Sequence, residues 1–72
     1  MKARHTSIVL YRGRAKAVAA DSFPDGTRGR HAFAHFRGNA KQRRIARRSY
    51  IRFAKATCLA RGIPLYINGN LQ

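Results

Sequence analysis

Residues 38–64 read GNAKQRRIARRSYIRFAKATCLARGIP, and this stretch decides the fold. Gly38-Asn39 supplies a helix entry with Asn39 as its N-cap. The positions that follow are good helix formers, and Gly62 with Pro64 shortly after it supplies the stop. The spacing predicts one long helix from about Ala40 to Arg61.

Outward from that helix the chain changes period. His31 to Phe36 reads as a strand, and Asp21-Ser22-Phe23-Pro24-Asp25-Gly26 as a loop, because proline presets φ for a turn and Asp-Gly tolerates the left-handed conformation. Thr6 to Tyr11 is rich in β-formers and reads as a strand ended by Arg12-Gly13-Arg14. Lys16 to Ala20 is its hairpin partner, with a short helix as the alternative that the alanines allow. Residues 1–5 carry Lys2, Arg4 and His5 without pattern and read as a flexible basic arm. Downstream, Ile63 to Ile67 reads as a last strand before the turn residues Asn68-Gly69-Asn70. The order is β-β-β-α-β. The fold class is α+β, a single domain over 1–72 in which a short antiparallel sheet of three to four strands packs on one basic amphipathic helix.

The helix carries two stripes. At about 3.6 residues per turn, Lys41, Arg44, Arg48, Arg52 and Lys55 align on one side, flanked by Arg43 and Arg47. Ala46, Tyr50, Phe53, Thr57 and Ala60 align opposite them and are expected to pack on the sheet. The basic stripe runs for roughly 21 Å, comparable with several phosphate spacings along a nucleic acid. A solvated helix face normally interleaves Glu with Lys at i, i+4, whereas this helix has no acid at all, so its like charges repel unless a polyanion neutralises them. The repeated Arg12-Gly13-Arg14 and Arg28-Gly29-Arg30 add splayed guanidinium groups at expected turns, suited to phosphate contact. The expected nucleic-acid-binding residues are therefore Lys41, Arg43, Arg44, Arg47, Arg48, Arg52, Lys55, Arg12, Arg14, Arg28 and Arg30. Tyr11, Phe33 and Phe36 stay unassigned between core and surface.

Composition points the same way. The chain has 72 residues and a formal charge of +14, from 16 Lys plus Arg against Asp21 and Asp25 alone. Such an excess is maintained where a polyanion relieves it. An apolar fraction of 44 % is that of a folded domain and not of a disordered basic tail. The apolar runs are far shorter than the roughly 20 residues of a membrane span, so no membrane partner is expected. A single cysteine, Cys58, excludes an intramolecular disulfide and fits the cytoplasm. A monomer is expected.

Enzymatic chemistry finds little to work with. Asp21 and Asp25 flank a turn and offer no paired carboxylates, and His5, His31, His35 and Cys58 lack the spacing of a metal site, so neither metal nor cofactor is expected. Gly29-Arg30-His31-Ala32-Phe33 resembles the Gly-Ser-His stretch of HicA-type mRNA interferase toxins, with Arg30 in place of the small hydroxyl residue. That resemblance would make His31 a catalytic histidine and the protein a small RNA-cleaving toxin, the third of three readings.

Ala40 to Arg48 resembles the basic helix of a small-subunit ribosomal protein family, which implies a general RNA- or DNA-binding protein. As a whole the chain resembles the small basic antitermination-type regulators that lytic phages direct at host RNA polymerase. This resemblance implies a non-catalytic transcription regulator in the host cytoplasm. It would dock on polymerase by its sheet, hold its arginine-rich helix near RNA or DNA, and inhibit transcription or suppress termination. Ser7, Ile8, Val9, Leu10 and Tyr11 are then the expected docking edge, because an unpaired strand edge can accept a partner strand.

Overall fold

The computed structural model describes residues 2–11, 15–29 and 31–72. Its helix, α1, spans Ala40–Arg61 and is closed at both ends by its own sequence. The Asn39 side chain accepts from the Gln42 N–H at 2.9 Å, and the Gln42 Oε1 accepts from the Asn39 N–H at 2.8 Å, a reciprocal capping box. Gly38 precedes it at φ +102°, and a Cβ there would meet the Gln42 side chain, so both the backbone and the cap require glycine. At the far end Gly62 adopts the left-handed conformation, and Ile63 N–H donates to the Cys58 carbonyl at 3.0 Å, turning the chain into the core.

The strands are β1 (His5–Tyr11), β2 (Lys16–Ser22), β3 (Ala32–His35), β4 (Leu65–Ile67) and β5 (Asn70–Leu71). They form one sheet in the order β3-β2-β1-β4-β5. β1 pairs antiparallel with β2 from His5↔Ser22 to Tyr11↔Lys16, and parallel with β4 from Thr6↔Leu65 to Ile8↔Ile67. The sheet is thus mixed and five-stranded, where three to four antiparallel strands were expected. The difference comes from α1. β3 and β1 point the same way, and a 22-residue helix of about 33 Å carries the chain back past the sheet, so the next strand enters parallel. β5 exists because Asn68 and Gly69, at φ 50° and 83°, make a two-residue hairpin turn that returns Asn70 to the sheet.

Three other expectations are corrected. Asp21 and Ser22 belong to β2 and not to a loop, since Thr6↔Asp21 and His5↔Ser22 extend the ladder past Ala20. The turn proper follows, with Gly26 N–H donating to the Phe23 carbonyl and Asp25 Oδ1 accepting from Thr27. Part of the presumed basic arm is docked: Ala3 lies in the core, Arg4 N–H donates to the Ser22 carbonyl at 2.7 Å, and His5 opens β1. Finally, Ser7 to Tyr11 is no sheet edge. β1 is the central strand, and beyond β4 its backbone is held by Asn68, which donates to the Ile8 carbonyl and accepts from the Leu10 N–H.

α1 covers one face of this sheet. Thr6, Ile8 and Leu10 of β1 share that face with Ala17 and Ala19 of β2 and Leu65 and Ile67 of β4. Ala3, Ile8, Ala17, Phe36, Cys58, Ile63, Leu65 and Ile67 form the buried core. From the helix, Ala46, Tyr50, Ile51, Ala54, Thr57 and Cys58 pack down, with Tyr50 edge-on to Phe36 at 5.6 Å. The packed stripe is therefore rotated from the expected one, and Phe53 (70 % exposed) and Ala60 stand in solvent. Ala54 and Cys58 are small enough to let α1 approach the strands, whereas a phenyl ring in the same seat would hold it off.

One ion pair ties the helix end to the sheet, Arg61 Nη2 to Asp21 Oδ2 at 2.9 Å, while the buried Thr6 hydroxyl donates to Asp21 Oδ1 at 2.6 Å. The Arg61 guanidinium, helped by Thr6 and opposed by partial burial, holds the Asp21 carboxyl below its ordinary value. A lowered folded-state value means that the contribution is present above the ordinary aspartate value of about 3.9 and is lost as pH falls through the lowered one. Asp21→Asn is expected to cost about 1 kcal/mol at neutral pH, since the pair is partly solvated, and to flatten the acid limb of stability. Urea unfolding of both proteins at neutral and acid pH checks this, and an unchanged acid limb would remove the assigned role.

Candidate nucleic-acid interface

Lys41, Arg44, Arg48, Arg52 and Lys55 are all exposed and lie on the side of α1 turned away from the sheet. Among the described residues the ion pair is Arg61–Asp21, and Asp25 is engaged by Thr27. With both carboxylate side chains of the chain thus occupied, no cation of the stripe has an internal counter-charge. No acid stands in the first turn of α1, so the positive end of the helix dipole adds to the same field.

Arg43 and Arg47 depart from the expected arrangement. They are half-buried on the packed side of α1 and line a cleft with Ala15, Ala40 and Arg44, where Arg43 Nη1 donates to the Gly38 carbonyl at 2.9 Å. The helix therefore presents five cations outward, and a second cluster of guanidinium groups opens beside its N-terminal half. Arg28 lies elsewhere, exposed beside β2 through its bridge to Ser22. Arg12, Arg14 and Arg30 lie outside the described residues.

The sheet face not covered by α1 carries two of the three rings left unassigned between core and surface, Tyr11 and Phe33. Strand alternation puts His5, Ser7, Val9 and Tyr11 of β1 there, next to Lys16 and Val18 of β2 and Phe33 and His35 of β3. Lys16 Nζ sits 5.4 Å from the Tyr11 ring centroid and 4.9 Å from that of Phe33. Farther along the same face His5 packs edge-on against Tyr66 at 5.1 Å. Phe36 went the other way, into the core. The alternation was legible in β1, but apolar residues occur on both of its faces, so the sequence alone could not say which one the helix covers.

Ser7 to Tyr11 consequently divides between two surfaces, with Ile8 and Leu10 beneath the helix and Ser7, Val9 and Tyr11 on the open face. Cys58 is buried under α1, on the opposite side of the sheet from His5 and His35. Among the described residues no helix is long and apolar enough to cross a membrane. Comparison with known protein families, curated protein sequences and solved structures gave no match.

Proposed function

We propose that this protein is a non-catalytic nucleic-acid binder that lays the outer stripe of α1 along a phosphate backbone. The observation that carries the reading is a 22-residue helix with five outward cations at one-turn spacing, no acid on the element and no internal counter-charge. Six of the eight cations of α1 are arginine. Planar guanidinium groups grip phosphate in bidentate fashion and stack on unpaired bases, which favours RNA over plain duplex DNA.

Five phosphate contacts give a slope of log K against log salt of about −3.5 on a single strand and −4.5 on a duplex. Fluorescence anisotropy of labelled RNA across a salt series measures it directly. A slope shallower than about −1 would show that few phosphates are met and would sink the reading.

A second reading, a regulator docked on host RNA polymerase that inhibits transcription or suppresses termination, has one observation in its favour. Ile45, Phe53 and Leu59 are 59, 70 and 82 % exposed on α1, apolar surface left uncovered by the rest of the chain. The docking surface would then be this helix side, since β1 is interior. Polymerase subunits retained on the tagged protein after nuclease treatment would favour it, and their loss with the nucleic acid would leave simple binding.

A further inference from the structure

We propose that the open face of the sheet is a stacking platform for single-stranded nucleic acid, with unpaired bases on the Tyr11 and Phe33 rings and Lys16 at the phosphate between them. The proposal rests on the nucleic-acid reading above and adds the strandedness of the ligand and a second contact surface. Phe33 is 60 % exposed and Tyr11 39 %, on adjacent rows of the same sheet face. Neither ring has a role in the core. What sets these two rings apart is that they share one sheet face and one lysine, and an accessible ring face in a basic setting is a surface on which nucleic-acid bases stack.

The geometry narrows the choice. Lys16 Nζ lies over both rings, so their centroids are no farther apart than the sum of its two distances, 5.4 and 4.9 Å. One ammonium between two ring faces can neutralise the phosphate that joins two bases stacked on them. Between the rings, Val9 and Val18 give an apolar floor, and Arg28 and His31 stand at the rim of the same shallow depression. Charge complementarity is one-sided. The Asp21 carboxylate faces the helix, bound to Thr6 and Arg61, and Asp25 sits in the turn with Thr27, so neither carboxylate opposes a polyanion on this face.

An aromatic ring can stack on a base only when the base is free of its own stack. The platform therefore selects single strands, whereas phosphate contacts along α1 are blind to strandedness. The two surfaces lie on opposite sides of the sheet, which makes their contributions separable by mutation.

The test compares the parent with Tyr11→Ala/Phe33→Ala for binding to a short oligo(U) and to a blunt RNA duplex. The rings add stacking affinity of roughly five- to a hundredfold each, so the double variant is expected to lose at least tenfold on oligo(U), with duplex affinity and salt slope kept. Equal affinity for oligo(U) before and after the change, or equal losses on both ligands, would overturn the platform while leaving the phosphate reading intact. A parent that binds neither ligand would overturn both. Phe33→Trp gives an independent readout, because the chain has no other tryptophan. Its emission should be quenched by oligo(U) at undiminished affinity, and an emission unchanged at saturation would place the bases elsewhere.

Discussion

Ile8→Ala is expected to remove about 3 kcal/mol of folding stability, a large share of what a domain of this size holds. Ile8 is 2 % exposed and is the largest fully buried side chain among the described residues. It stands on the central strand between Ala19 of β2 and Ile67 of β4, with Cys58 of α1 in the same core. Two features keep the cost high. Ala17 and Ala19 beside it are too small to move into the gap, and the strand is pinned on both sides, so the site cannot collapse around a truncated side chain. At roughly 0.05–0.15 kcal/mol per residue, total stability lies between about 4 and 11 kcal/mol, so the variant sits near the edge of folding. The urea midpoint should fall by roughly 2–3 M at unchanged slope. Ile45→Ala, on the solvent side of α1, should change stability by less than about 0.5 kcal/mol. Similar losses at the two positions would mean that α1 faces the sheet by another side.

What the sequence shows and what it hides divide along a physical line. Helix ends are local: Asn39, Gln42 and Gly62 satisfy the terminal backbone groups of α1 with neighbours in the chain, so Ala40 and Arg61 could be read from the residues themselves. The buried side is not local. From Tyr50 an apolar stripe continues equally well through Phe53 and Thr57 or through Ala54 and Cys58. The choice falls to the sheet, which accepts small side chains closely and has Phe36 in place for Tyr50. Strand order is less local still. The Thr6–Tyr11 run is a plain β-former pattern whether it lies at an edge or in the middle, and only the return of the chain through α1 makes it central. β4 and β5, three and two residues long, carry too little pattern to announce their direction.

The same line runs through the interface. The outer stripe needed only helical spacing, and Lys41, Arg44, Arg48, Arg52 and Lys55 lie where that spacing puts them. Arg43 and Arg47 shifted to the packed side with the rotation of the apolar stripe, because moving one face of a helix moves all of them. Lys16 could not be linked to Phe33 in advance, since their meeting depends on the β2–β3 register, in which Val18↔Phe33 and Lys16↔His35 are opposed.

The basic stripe yields the largest functional effect. Arg44→Ala, Arg48→Ala and Arg52→Ala together are expected to lower RNA affinity on the order of a hundredfold near physiological salt and to reduce the salt slope by about 2 to 2.7, the share of three phosphates. The fold should not suffer. The three side chains are exposed and take part in no ion pair among the described residues, alanine is the better helix former, and removing three like charges relieves repulsion along α1. Melting temperature should therefore hold or rise while binding falls, a combination that unfolding cannot imitate. The triple lysine variant separates charge from shape. It retains the slope, because slope counts neutralised phosphates, but loses affinity if planar guanidinium groups grip phosphates in bidentate fashion or stack on bases. A triple alanine variant with the parent's slope would mean that the phosphates meet other cations, with the arginine cleft beside Ala15 the first place to look.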